Sequence, residues 1–274
     1  MLYAKMAFRL SRKLQDKMEK AAPRLRGDPR GVAEANAAMM PAPLETRSIR
    51  GRQTRTGPGY QGTHVAVARC DTLTASLALG DVVALNYANA TTPGGRYLHG
   101  GRAQEEDLCR CCPELHPSLA ACGHYPLAPD AALLTRDVRC LRQPATYAEA
   151  SLGALDVITA AMPCGACDAR PRGGWLQSPW ADDVRARVRA VFEAAVASGR
   201  RHLVLGAWGC GAFGNPVKAV AALFAEVMTE YAGCFSAVVY AIVDPAGQGC
   251  LRPFREEMHA RLGALAGARA TSSI

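Results

Sequence analysis

From His64 onward the chain alternates short apolar runs with longer amphipathic ones, and few folds accept that pattern. Strands are expected at His64–Cys70, Val82–Tyr87, Ala131–Leu134, Asp156–Met162, His202–Ala207 and Phe235–Val243. Most are short apolar runs, as strands covered on both faces should be. Helices are expected between them at Arg102–Cys112, Trp180–Ser198, Pro216–Tyr231 and Arg252–Leu265. Asp182 and Asp183 suit the first turn of one helix, and Pro216 and Pro253 suit first helical positions. The fold class implied is α/β, a three-layer α/β/α sandwich whose ligand site lies at the C-terminal ends of the strands.

The first 62 residues differ in kind and read as a basic helical extension and linker ahead of a domain spanning 63–274. Leu2, Met6, Leu10, Leu14 and Met18 recur every four residues among Lys and Arg, which predicts an amphipathic helix over 1–22. A second helix is expected over Val32–Met40, followed by a Pro-, Gly- and Arg-rich linker to Gly62. Residues 1–60 hold 13 Lys/Arg against 5 Asp/Glu, whereas residues 61–274 hold 19 of each, so the whole excess of +8 lies in this arm. Such an arm attracts polyanions, unless it is merely a solvated helical surface.

No apolar run reaches the roughly 18 residues of a membrane span, and charges interrupt the first 20 residues too often for a secretory signal. Asp16 and Glu19 count against an organellar transit peptide. With 11 cysteines and no export signal, reduced thiols in an intracellular, cytoplasmic setting are expected.

Two glycine-rich loops each follow an expected strand and precede an expected helix. One runs from Asn86 through Pro93-Gly94-Gly95 to Gly101; the other is Gly206-Ala207-Trp208-Gly209-Cys210-Gly211-Ala212-Phe213-Gly214-Asn215. Glycines let backbone amides approach a ligand, and a helix N-terminus adds partial positive charge, so each loop is a candidate phosphate cradle. Two at one sheet edge suggest a diphosphate. Gln104-Glu105-Glu106 follows the first loop. As an ordinary charged first turn it would need no further explanation. Beside an anion cradle, carboxylates repel the ligand unless they have a task. Neighbouring helical residues diverge by roughly 100°, which excludes the facing carboxylate pair of an ordinary glycosidase. A division of labour fits better, one glutamate as acid/base and the other anchoring sugar hydroxyls. A general acid needs a raised pKa while a helix N-terminus lowers it, so burial must supply the difference.

Asn86-Tyr-Ala-Asn-Ala, then Pro93-Gly-Gly, then Gln104-Glu-Glu after Tyr97–Ala103, resembles the signature of the microbial poly(ADP-ribose) glycohydrolases, and Gly206–Asn215 is similar to their second phosphate loop. The resemblance runs from about His64 to Asp244 and takes in Asp71-Thr72-Leu73 and Val238–Asp244. It implies a macrodomain-like mixed sheet that binds a terminal ADP-ribose and cleaves the ribose–ribose O-glycosidic bond of poly(ADP-ribose) or of ADP-ribosylated proteins. It also implies that Glu106 is the catalytic acid/base, that Glu105 holds ribose hydroxyls and that Asn89 contacts the distal ribose. Gly94, Gly95, Gln104 and the stretch Gly209, Cys210, Gly211, Ala212, Phe213, Gly214 and Asn215 would surround the ligand, with Phe213 packing on ribose. No cofactor or metal is implied. Arg96 stands where the resemblance implies a third glycine. It either strains a left-handed backbone or lends its guanidinium to the diphosphate.

Other readings rest on other residues. Cys164-Gly-Ala-Cys167 has redox or zinc spacing, with Cys109, Cys111, Cys112, His116 and His124 as further metal candidates. A non-catalytic ADP-ribose reader, or a mono-ADP-ribosyl hydrolase, would use the same pocket.

Overall fold

The computed structural model describes residues 6–7, 12–20, 28–39, 41–54, 59–165, 174–244 and 249–270. Their centre is one eight-stranded mixed sheet. In chain order the strands are β1 (Met6–Ala7), β2 (Thr46–Arg50), β3 (Thr63–Ala68), β4 (Val82–Tyr87), β5 (Ala131–Arg142), β6 (Glu149–Ala160), β7 (His202–Leu205) and β8 (Ala237–Ala241). They lie in the order β1-β3-β8-β7-β4-β6-β5-β2. Every pairing from β1 to β6 is parallel, and β5 and β2 run antiparallel at the far edge.

Helices cover both faces. On one lie α6 (Pro179–Ser198), α7 (Val217–Met228) and α8 (Leu251–Ala270); on the other lie α1 (Arg12–Lys20), α2 (Pro29–Ala38), α3 (Thr72–Leu79), α4 (Gln104–Cys111) and α5 (Leu115–Ala121). Alternation along β4 shows how one strand serves two cores. Val83 and Leu85 join α6 and α7, while Val82 and Ala84 join α3 and α4. The expected three layers are present.

Differences from expectation have local causes. Residues 6–7 form a strand parallel to β3, so the helix expected over 1–22 is seen only as Arg12–Lys20, where Met18 is fully buried; Leu2 and Leu10 fall outside the described residues. The second helix starts earlier, at Pro29, because Asp28 caps it by accepting from the Arg30 and Gly31 N–H groups. The division at residue 62 does not hold: β2, within the expected linker, pairs with β5, and α2 packs against α4. β5 and β6 extend beyond their apolar runs as a ribbon whose outer part is half exposed.

Candidate active site

The glycine-rich loops leave adjacent parallel strands, β4 and β7, at their C-terminal ends. Strand-end packing holds them together: a Cβ on Gly206 would collide with the Tyr87 hydroxyl and the Ala241 carbonyl. Only glycine fits there.

α4 begins at this edge. Gln104 is fastened to the sheet, its Oε1 accepting the Tyr87 N–H at 2.9 Å while Nε2 donates to Leu85 O at 2.7 Å and Thr72 Oγ1 at 3.1 Å. Its amide is spent on protein partners, so Gln104 is a support rather than the ligand group expected.

Glu105 is 2% exposed. Its Oε2 accepts the Asn89 N–H at 2.8 Å, and its Oε1 faces Asn86 Nδ2 at 3.4 Å. Burial pushes its pKa up to about 7; hydrogen bonds from Asn89, Asn86 and Gly94 oppose the shift, and the charge of Glu106 adds to it. Desolvation therefore outweighs the helix N-terminus.

Glu106 is also buried. Its Oε2 accepts the Ala103 N–H at 2.8 Å, as the glutamate of a capping box does. Its Oε1 accepts the Arg96 N–H at 2.9 Å, ten residues back in the first loop. The second bond exceeds what a cap requires and fixes the carboxylate against that loop. The loop has glycines where the acids approach. A Cβ on Gly95 (φ +57°) would lie 2.7 Å from Glu106 Oε1 and 2.9 Å from Glu105 Oε2; one on Gly101 would lie 2.9 Å from Glu106 Oε1.

The remaining candidates divide. Gly94 (φ +70°) makes room for His116, and Gly95 spends its amide inside the protein, on Thr92 O. Gly95 is therefore not the phosphate donor expected. Asn89 Oδ1 closes its own turn onto the Thr91 and Thr92 N–H groups. Arg96 has φ −99°, so the left-handed strain considered for it does not exist, and its side chain is exposed.

In the second loop Gly209 (φ +74°) and Gly214 (φ +62°) make the turns. Asn215 is a support, not a ligand group. Its Nδ2 donates to Pro163 O and Gly209 O, and its Oδ1 accepts Trp180 Nε1–H at 3.1 Å. Cys210 is buried, and its N–H is spent on Ala207 O. The N–H groups of Gly211, Ala212 and Phe213 take part in none of these bonds and sit at the tip, the arrangement an anion cradle needs. Phe213 is half-buried against the α6–α7 core.

Sequence reasoning missed a buried frame behind the first loop. Arg110, fully buried, donates to Gly101 O and, at 3.1 Å, to both Pro29 O and Asp107 Oδ1. Asn36 of α2 donates to Tyr97 Oη and Arg110 O and accepts from Arg142 Nε. These partners lie 61 to 106 residues apart, beyond the reach of spacing. Among the described residues no group of three or more His, Cys, Asp or Glu side chains is placed to hold a metal ion, and Cys167 lies outside them.

Residues 29–129 match a family model described as microbial-type PARG, catalytic domain. Over that stretch the chain resembles the catalytic domain of the microbial-type PARGs. Its macrodomain-like fold matches the poly(ADP-ribose) glycohydrolase of Thermomonospora curvata with a TM-score of 0.71 at 27% identity, covering 85% of this chain and 98% of that one. A structure of the glycohydrolase from that source bound to the inhibitor ADP-HPD matches at 0.65 and 27% identity, covering 91% and 96%. The Deinococcus radiodurans glycohydrolase in complex with ADP-ribose matches at 0.64 and 28% identity, covering 92% and 99%. No curated protein sequence matches the chain. The second loop and the α6–α8 layer, within residues 179–270, lie beyond the stretch that the family model matches.

Proposed function

We propose that the protein is a glycosidase that hydrolyses the ribose–ribose O-glycosidic bonds of poly(ADP-ribose) and releases ADP-ribose. One observation carries the reading: Glu106, buried and tied through the Arg96 N–H to the first loop, stands at the edge where the second loop presents its tip amides. A diphosphate between the loops brings the adjoining ribose to the two glutamates. Glu106 protonates the departing ribose oxygen as the C1–O bond breaks to an oxocarbenium-like centre. Its carboxylate then takes a proton from the water that attacks C1, which restores the acid. Glu105 accepts ribose hydroxyls.

A second assignment has its own support. Glu105 is the carboxyl whose pKa burial pushes up to about 7, which suits a proton donor at neutral pH. The pH–rate profile of poly(ADP-ribose) cleavage separates the two. With Glu106 as acid/base, Glu106→Gln retains ADP-ribose binding and loses most turnover, while Glu105→Gln weakens binding and keeps the profile's shape. Loss of the upper limb of the profile in Glu105→Gln alone would exchange the roles. Release of ADP-ribose from polymer supports the glycohydrolase; tight binding without release marks a reader, and release only from mono-modified protein marks the third reading.

The basic arm is proposed to add affinity for the polyanion, supported by its charge. An intracellular, reducing setting is proposed on the abundance of thiols.

A further inference from the structure

We infer that the outer side of the first loop binds the second ADP-ribose unit of a polymer, the one joined to the terminal unit, through an apolar cleft and an arginine rim. The inference rests on the glycohydrolase reading and extends it to substrate length.

The cleft, about 210 Å³, lies between the first loop and α5 and is lined by Pro93, Gly95, Leu98, His99, His116 and Ala120. Its position relative to the chemistry follows from Gly95. That residue lines the cleft, and the direction a side chain would take from it leads to both carboxylates, at 2.7 and 2.9 Å. Gly95 is thus shared by the cleft and by the corner that holds the two acids.

The walls suit a nucleobase. Leu98 is 54% exposed, one of three large apolar side chains so exposed among the described residues. His116 is fixed in place against the Tyr97 ring, centroids 5.1 Å apart, and burial lowers its pKa, which favours the neutral imidazole. A flat neutral ring beside an aliphatic side chain is a stacking surface for any base. One exposed leucine alone would mean little.

Charge gives the second, independent observation. Arg30 lies over Gly100, whose Cβ position is 3.0 Å from its side chain; Arg96 starts beside Glu106, its Cβ 2.8 Å from the Cβ position of Gly101; Arg102 follows directly. All three are exposed, and among the described residues none is paired with a carboxylate. The second unit of the polymer brings two phosphate charges to this rim, whereas free ADP-ribose brings none beyond the loops. Cations placed here discriminate by length.

The test is binding to whichever of Glu106→Gln and Glu105→Gln releases no ADP-ribose from polymer, using ADP-ribose and its dimer as probes. The dimer should bind at least about tenfold tighter than the monomer, the surplus shrinking as salt rises. Leu98→Ser and Arg102→Ala in that background should each remove much of the surplus and leave monomer affinity within about twofold. Both side chains are exposed, and a thermal melt of each variant checks folding. Equal affinity for monomer and dimer, or variants that weaken both alike, would overturn the subsite while leaving the glycohydrolase intact. A protein that binds no monomer and releases no ADP-ribose would instead sink the activity itself.

Discussion

Gly95 is the narrowest point of the site, since its missing side chain lets two carboxylates and a helix share one corner. The cost of that corner is carried by Glu105. Its pKa rises from an ordinary 4.5 to about 7 on folding, chiefly through desolvation. The unfolded chain therefore ionises near 4.5 and the folded one near 7, so unfolding releases a proton anywhere between. The stability contributed by the protonated group is full below 4.5 and lost as pH rises through 7, about 3 kcal/mol in all. Glu105→Gln should lack this slope and be more stable than wild type at pH 8, although less active. Urea unfolding of both proteins from pH 4.5 to 8 checks it; a difference that does not vary with pH would mean that burial is not the cause. Arg96 carries the opposite lesson. Because its φ is −99°, Arg96→Gly relieves no strain. It should cost roughly 0.5–1 kcal/mol through the freer unfolded chain, with kcat unchanged, since the N–H that holds Glu106 remains. A rise in kcat would show strain that this conformation lacks.

At the scale of elements, what was legible in the sequence was what periodicity and punctuation carry. β4 matches its expected bounds because a mostly apolar run is closed off by Gly80-Asp81 on one side and a glycine-rich loop on the other. α3 was missed because it is buried nearly all round and shows no helical period. β2 was missed because an edge strand with alternating partial exposure resembles a loop. For the site, the glutamates and glycines could be read locally, but whether Gln104 and Asn215 face ligand or protein depends on strands they meet only after folding. Arg110 is the extreme case: nothing near it in sequence distinguishes it from a surface arginine of a helix, yet it joins α2, α4 and the Gly101 carbonyl. Arg110→Lys keeps a cation by Asp107 but cannot reach Pro29 O and Gly101 O together. It should lose about 1–3 kcal/mol of stability and, because the Gly101 segment then no longer fixes Glu106, about tenfold in kcat with KM little changed. A matching loss in KM would make Arg110 a general structural residue rather than one that positions the acid.

For the whole molecule the question is what the first 60 residues are for. Their charge invites the view that they are a tether for polymer, detachable from the catalytic sheet. The contacts oppose detachment. β2 supplies the last strand of the sheet, with Thr46 Oγ1 and Thr135 Oγ1 2.8 Å apart, and Asn36 satisfies Arg142 while holding the Tyr97 hydroxyl under the first loop. Deleting residues 1–60 would strip partners from two buried arginines and open the β5 edge. Leaving a buried donor unsatisfied costs about 1–3 kcal/mol, more for a charged group. Deleting 1–60 should therefore lower the melting temperature sharply and weaken ADP-ribose and long polymer alike. Deleting only residues 1–11 removes charge while keeping α1, α2 and β2. That shorter deletion should leave ADP-ribose affinity unchanged and reduce polymer affinity, with a shallower dependence on salt. Calorimetry of both truncations against monomer and polymer at two salt concentrations separates the roles. If the long truncation melts like wild type and loses only polymer, the arm is a tether after all, and the frame drawn from Asn36 through Arg110 to Glu106 does not govern the site.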